Sequence, residues 1–286
     1  MKKLGLFFVV SVFWSTLFAA TAEDDQVVPC TPRRGIKRPA TTDARSDLIT
    51  RSITWSMAGL TEAENKDHLA APLLMMKNHT RIRIAQVKPL LLDQALTHLN
   101  LIEFKFVHLT HLDLPINNIT VPLLEKISQL APNLRSLNVS HCFLEADHAK
   151  AISRMNQLTT LNLWDNDLKD EGAYFISLML HLKTLGVGNN GITDKGAGYI
   201  SQLPNLENLD ISCNQVGPGG ATSLSSQTSL KSLNVGHNEM GDEGAQFLSK
   251  MHWLKCVDFE YNGIGEAPVR LLRQSLSLTY ILSSVQ

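Results

Sequence analysis

Cys213 and His237, which lie 24 residues apart, are the pair in this chain best suited to covalent chemistry. A thiol beside an imidazole can lose its proton and act as a nucleophile. However, no residue is placed to orient the imidazole, and no Gly-rich segment is placed to stabilise an oxyanion. We therefore predict two exposed side chains here, no catalytic residue and no enzymatic activity.

His108 and His111 form the second arrangement that suggests chemistry, since two histidines three residues apart on a helix can bind one metal ion. His111, however, begins a segment in which apolar and polar residues alternate, as in a strand. Residues i and i+3 of a strand point to opposite faces. We therefore predict no metal site, and the sequence suggests no cofactor.

Both arrangements lie in or beside a segment that repeats, from residue 109 to residue 277. Its seven units begin with Leu109, Leu134, Leu158, Leu182, Leu206, Leu230 and Leu254, so the first is one residue longer than the 24 of the others. Seven units with a fixed period are typical of structural repeats that stack on one another.

Each unit changes its period halfway along. The first six residues alternate apolar and polar, which predicts a strand. The ninth position carries Asn117, Cys142, Asn166, Asn190, Asn214, Asn238 and Asn262, which we predict to turn inward and bond to the backbone of neighbouring units. The second half predicts a helix, with Asp170, Asp194 and Asp242 as its N-cap, Gly-Ala pairs at its start and a serine near its end.

These residues resemble the leucine-rich repeat family over 169 of the 286 residues. The 24-residue period and the Gly-Ala pairs most resemble the bacterial GALA-like subtype. The resemblance implies an α/β fold, a right-handed horseshoe with a parallel sheet on its concave face and helices outside, that binds other proteins. Similar proteins are secreted effectors that carry an F-box for host ubiquitin ligases, but no F-box sequence precedes residue 109.

The concave face of such a fold presents positions two, three, five, seven and eight of each unit. Trp164 lies in the unit before Gly188, so an aromatic residue borders a gap, as at many binding hot spots. The predicted binding residues are Trp164, Tyr261, His237, Asp210, Asp258, His141 and Lys183. Charges of both signs occur in similar number on this face, which argues against nucleic acid as the partner.

The remaining segments predict the domain organisation. Residues 1–22 combine two lysines, an apolar run and small residues, which is typical of a signal peptide, with an uncleaved membrane anchor as the alternative. Residues 23–47 are polar and predict a flexible linker, and residues 48–108 predict a partly helical N-terminal cap with helices at 61–76 and 87–99. Residues 278–286 restart the strand pattern and predict a capping strand.

The sequence therefore predicts a non-enzymatic protein-binding scaffold that a bacterium exports to the periplasm or the medium. We expect a monomer with a protein partner, and no membrane contact in the mature form, since the formal net charge is -1 and no later segment is apolar enough to cross a bilayer. The alternative is a host-directed effector that acts as a ubiquitin-ligase adaptor or GTPase regulator.

Overall fold

Within the described residues, ten parallel strands form one sheet, and they lie in it in the order of the sequence. The computed structural model describes residues 52–56, 78, 80–85, 105–275 and 280–282. All of them belong to one compact unit, residues 34–286. The strands are β1 (Ser52–Ser56), β2 (Arg81–Ala85), β3 (His111–Asp113), β4 (Ser136–Asn138), β5 (Thr160–Asn162), β6 (Thr184–Gly186), β7 (Asn208–Asp210), β8 (Ser232–Asn234), β9 (Cys256–Asp258) and β10 (Tyr280–Leu282).

A helix follows each strand from β3 to β9. Within the described residues the helices are α1 (Val121–Leu130), α2 (Ala146–Ile152), α3 (Lys169–Ser177), α4 (Asp194–Ile200), α5 (Pro218–Leu224), α6 (Gly241–Leu248) and α7 (Glu266–Ser275). One strand, its turn and its helix form one coil of the stack, which corresponds to one sequence unit. The predicted parallel sheet with helices is thereby confirmed.

The core lies between the sheet and the helices because each coil turns its apolar positions into that space. The middle residue of each strand from β3 to β9 is buried, as Leu161 is in β5. The leucine two positions later, here Leu163, and the mid-helix Ile176 are also fully buried. Burial of an aliphatic side chain contributes about 1.5–3 kcal/mol, so the repeated apolar positions provide most of the stability.

The asparagines at position nine connect successive coils through the backbone. Asn214 Nδ2 donates to the carbonyl of Val187 in the preceding coil (3.0 Å), and its Oδ1 accepts from the N–H groups of Asn190 and Ile192, both at 3.0 Å. Asn166, Asn190, Asn238 and Asn262 repeat the donation, with N···O distances of 2.8–3.1 Å. Backbone groups that the three-residue strands leave unpaired are therefore satisfied by side chains.

Cys142 replaces asparagine in one coil and makes only part of this pattern. Its Sγ donates to the carbonyls of Leu114 and Ser140, both at 3.2 Å. Burial raises the pKa of this thiol to about 11, so it stays protonated and can donate. A thiol has no carbonyl oxygen, so Cys142 lacks the strong acceptor that the asparagines offer to the preceding coil.

The aspartates predicted as N-caps bind instead to the next coil, and that part of the sequence analysis was wrong. Asp170 lies inside α3, and its carboxylate accepts from the N–H groups of Thr193 (2.9 Å) and Gly196 (3.0 Å). Asp194 likewise accepts from the N–H of Gly217 at 2.6 Å. The reason is that the start of the next helix, with N–H groups that lack helical partners, lies within reach of the preceding aspartate.

The Gly-Ala pairs and the serines fix how each helix lies. A Cβ added to Gly196 would lie only 2.6 Å from Cγ2 of Ile192, so glycine permits close packing at the helix start. Each serine hydroxyl near a helix end donates at 2.7–2.9 Å to the carbonyl three residues earlier (Ser128, Ser153, Ser177, Ser201, Ser225 and Ser249). These bonds run back to the preceding turn of the same helix, where a serine hydroxyl can reach a backbone carbonyl.

Both ends of the sheet extend beyond the seven repeats. β2 pairs with β3 and β1 pairs with β2, so two strands lie in the segment where the sequence analysis predicted a partly helical cap. The helices predicted at 61–76 and 87–99, the linker and the signal peptide lie outside the described residues. β10 pairs with β9 where the capping strand is predicted. Among the described residues, no helix is both long enough and apolar enough to span a bilayer.

Candidate binding face

The sheet surface opposite the helices, here called the strand face, consists of positions three, five, seven and eight of the coils, with position two at the edge where the strands begin. The parallel pairing aligns these positions, as Asn162, Gly186 and Asp210 show for position five. Position eight follows the strand and has a positive φ of 52–57° in every repeat: Ile116, His141, Asp165, Asn189, Cys213, His237 and Tyr261. The recurrent left-handed turn therefore orients a column that includes three predicted binding residues, His141, His237 and Tyr261.

Trp164 lies over Gly188 of the next coil. A Cβ added to Gly188 would lie closer than 3.0 Å to Nε1 and Cδ1 of the indole. On its other side the indole meets the imidazole of His141, with ring centroids 5.0 Å apart and planes inclined by 55°. The gap predicted beside Trp164 is thus filled by Trp164 itself, which presents a half-buried ring instead of a projecting anchor.

A polar network surrounds this indole. His141 Nδ1 lies 2.7 Å from Oδ2 of Asp165, and both side chains are about 40% exposed. Asn189 of the next coil donates to the other oxygen of the same carboxylate. His141 and Trp164, both predicted for the site, are therefore brought together, and the network links three successive coils.

His237 and Tyr261 form a second aromatic pair at the other end of the strand face. Their ring planes are inclined by 17°, and the centroids are 4.3 Å apart. Tyr261 is 48% exposed. The pair therefore offers a rigid aromatic surface to solvent, beside the carboxylates of Asp258 and Glu260 in the same coil.

Asp210 and Asp258 occupy position five, two coils apart, as the last residues of β7 and β9. Asp210 Oδ1 accepts from the N–H of Ser212 (3.0 Å) and from its hydroxyl (2.6 Å). Burial raises the pKa of Asp258, and the charges of Glu260 and Asp210 add to this effect. The structure thus places these two carboxylates in the C-terminal half of the strand face.

Cys213 and His237 occupy adjacent coils at position eight, as the repeat implies. Burial raises the pKa of the Cys213 thiol, and the nearby carboxylate of Asp210 raises it further. A raised pKa lowers the thiolate fraction that a nucleophile requires. The environment of Cys213 therefore opposes the catalytic alternative.

Lys183 lies at position two, just before β6, and it is exposed. Its Nζ is 3.9 Å from Glu207 Oε1, while Lys231 of the following coil binds the other oxygen of that carboxylate. The hydrogen bond and charge of Lys231 lower the pKa of Glu207. Position two is thus a column in which lysines flank one carboxylate.

Metal-binding geometry is not apparent in the part of the chain that the structure describes, where no three His, Cys, Asp or Glu side chains converge. His111, one half of the pair considered for a metal, has its Nδ1 2.8 Å from the hydroxyl of Thr110. Burial lowers the pKa of His111, and the charge of Arg81 contributes. Its surroundings are thus those of a neutral strand histidine.

The repeat units match a known protein family. The Leucine Rich repeat family model matches four successive segments, residues 155–177, 179–201, 202–225 and 226–249. These segments are leucine-rich repeats. A search of curated protein sequences found no match. The sheet and helices extend the same pattern over the remaining predicted repeats.

Two solved structures from Listeria monocytogenes are similar to this chain. Internalin C2 from Listeria monocytogenes has 24% identity and a TM-score of 0.53, and the alignment covers 69% of this chain and 76% of that chain. Internalin F from the same species has 16% identity and a TM-score of 0.40, covering 76% of this chain and 77% of that one. At this identity the likeness to internalin C2 concerns the fold alone.

Proposed function

We propose that this leucine-rich repeat protein is a non-enzymatic scaffold that binds a protein partner on its strand face. The observation that carries the proposal is the alignment of β3 to β9 in one register, which sets the outward positions of seven coils side by side. A surface of this kind offers many adjacent contacts without a deep cavity. Protein partners are bound by such broad surfaces, whereas small ligands need concave pockets.

The aromatic residues support the same proposal. Tyr261 is held by its stack on His237, and Trp164 is held between His141 and Gly188. Rigid aromatic side chains lose little conformational entropy on binding and are enriched at hot spots. The raised pKa of Cys213 supports a non-enzymatic role, because it lowers the thiolate fraction that the catalytic alternative needs.

Export by a bacterium, to the periplasm or the medium, is a further part of the proposal. It rests on the sequence pattern of residues 1–22, which lie outside the described residues. The GALA-like assignment rests on the 24-residue period and on the Gly-Ala pairs. The close contact between Gly196 and Ile192 explains why a glycine is needed at the start of the helix.

Photo-crosslinking tests where the partner binds. A photoreactive amino acid replaces Thr160 or Ser232 on the strand face of the full chain, and Glu171 or Gln246 on exposed helix positions serves as the control. Trp164→Ala and Tyr261→Ala should each weaken capture of the crosslinked protein by about tenfold without loss of the circular dichroism signal. Crosslinks from the helix positions alone would show that the strand face is not the binding surface.

A further inference from the structure

The charges of the strand face are separated across the width of the sheet. Position two, at the edge where the strands begin, carries four exposed cations and one carboxylate from the second repeat onward: Arg135, Lys183, Glu207, Lys231 and Lys255. Positions five to eight of the same coils carry no lysine or arginine, and their charged residues are Asp165, Asp210, Asp258 and Glu260. A basic column and an acidic column therefore run along the stack side by side.

Small uncharged side chains separate the two columns. Position three carries Ser136, Thr160, Thr184, Asn208, Ser232 and Cys256, all partly exposed or exposed. Position two precedes each strand and position five ends it, so about 10 Å of extended chain separates the two columns. An α-helix with its side chains is about 10–12 Å wide, so its two flanks would face the two columns while its centre lies over position three.

The spacing along the stack also fits a helix. Arg135, Lys183 and Lys231 recur every second coil, and Asp210 and Asp258 do the same. Two coils correspond to about 9.6 Å, since adjacent strands lie about 4.8 Å apart. Residues i and i+7 of a helix lie on one side and about 10.5 Å apart, and flexible lysine side chains can absorb the difference of about 1 Å.

We propose that the occupant of the strand face is an α-helix of a partner protein, lying across the coils with acidic residues along one flank and basic residues along the other. The inference rests on the proposed function and specifies the chemistry of its partner. An extended segment fits less well, because its side chains repeat on one face about every 6.6 Å, which matches neither one coil nor two.

Two helical peptides of identical composition test the charge pattern. Both are alanine-rich and about 21 residues long, with glutamates and lysines at heptad spacing. In the first the glutamates occupy one flank and the lysines the other, and in the second each flank mixes both charges. The full chain should bind the first at least about tenfold more tightly at low ionic strength, with affinity that falls as salt is added.

Variants of the chain locate the contact. Lys183→Gln with Lys231→Gln should weaken binding of the first peptide by about tenfold, because the basic column loses two charges. The matched control is Lys195→Gln with Lys250→Gln, which removes two exposed lysines from the helix side and should leave binding unchanged. Equal binding of the two peptides, or equal effects of the two double variants, would overturn the inference.

A third peptide and the natural partner complete the test. If a proline-containing peptide with the same charges and no helical structure binds as tightly as the first, the helix assignment is wrong. If the partner crosslinks to Thr160 and Ser232 but is unaffected by the Lys183→Gln/Lys231→Gln variant, the inference fails while the proposed function stands. Loss of both peptide and partner binding in that variant supports the inference.

Discussion

Gly188→Ala probes the contact on which the geometry of Trp164 depends. The added Cβ would lie closer than 3.0 Å to Nε1 and Cδ1 of the indole and 3.1 Å from Ser212 Oγ. Carbon atoms normally approach no closer than about 3.5 Å, so the indole must move by roughly 1 Å. His141 lies on the opposite side of the ring, so the movement disturbs that contact as well.

The expected magnitude is a balance of two effects. Gly188 has no positive φ, so alanine is compatible with its backbone. Alanine also lowers the conformational entropy of the unfolded chain, which raises the free energy of unfolding by about 0.4–1 kcal/mol. Overpacking costs about 1–3 kcal/mol. We expect a net loss of about 1 kcal/mol in the free energy of unfolding.

Gly236→Ala is the matched control, because Gly236 occupies the same position two coils later. The nearest atoms to its added Cβ would be Oδ1 of Asn234 and Oδ1 of Asp258, each at 3.3 Å. The displacement required is a few tenths of an ångström, so we expect little change in stability. Any difference in the free energy of unfolding between the two variants therefore reflects the contact with Trp164 and not an effect of alanine on the backbone.

Urea unfolding monitored by circular dichroism measures these differences, and a double-mutant cycle with Trp164→Ala isolates the contact. In the Trp164→Ala background Gly188→Ala should become neutral or stabilising, which gives a coupling energy of about 1–2 kcal/mol. Equal effects of Gly188→Ala in both backgrounds would refute the placement of Trp164 over Gly188.

Three further predictions concern the coils and their charges. Asp170→Ala should lower the free energy of unfolding by about 2–3 kcal/mol, because N–H groups at the start of α4 lose their acceptor, whereas Glu171→Ala should change it by less than about 0.5 kcal/mol in the same urea titration. Cys142→Asn should raise the thermal midpoint, since the added acceptor contributes about 1 kcal/mol, and Cys142→Ser should not. The raised pKa of Asp258 means that its carboxylate costs stability at neutral pH, so Asp258→Asn should be more stable than the wild type at pH 7. That difference should shrink as the pH falls through the raised pKa, because protonation then removes the cost in the wild type; a difference that grows on acidification would contradict the assignment.

Some features of the strand face could have been predicted but were not. Asp165 and Asn189 at position eight are residue types enriched in the left-handed region, so they signal the turn that the structure shows at Ile116, Cys213 and Tyr261 as well. The separation of basic and acidic columns was also readable from the aligned repeats.

The sequence alone determined the order of strand and helix, the buried positions and the alignment of equivalent residues in neighbouring coils. A fixed period is sufficient for this, because each coil can bury its apolar side only against another coil of the same length. Tertiary structure decided which partner each polar side chain takes: Asp170 binds the next coil instead of its own, and Trp164 covers Gly188. Such choices depend on turn conformation and on distances between coils, which a residue pattern along one chain does not specify.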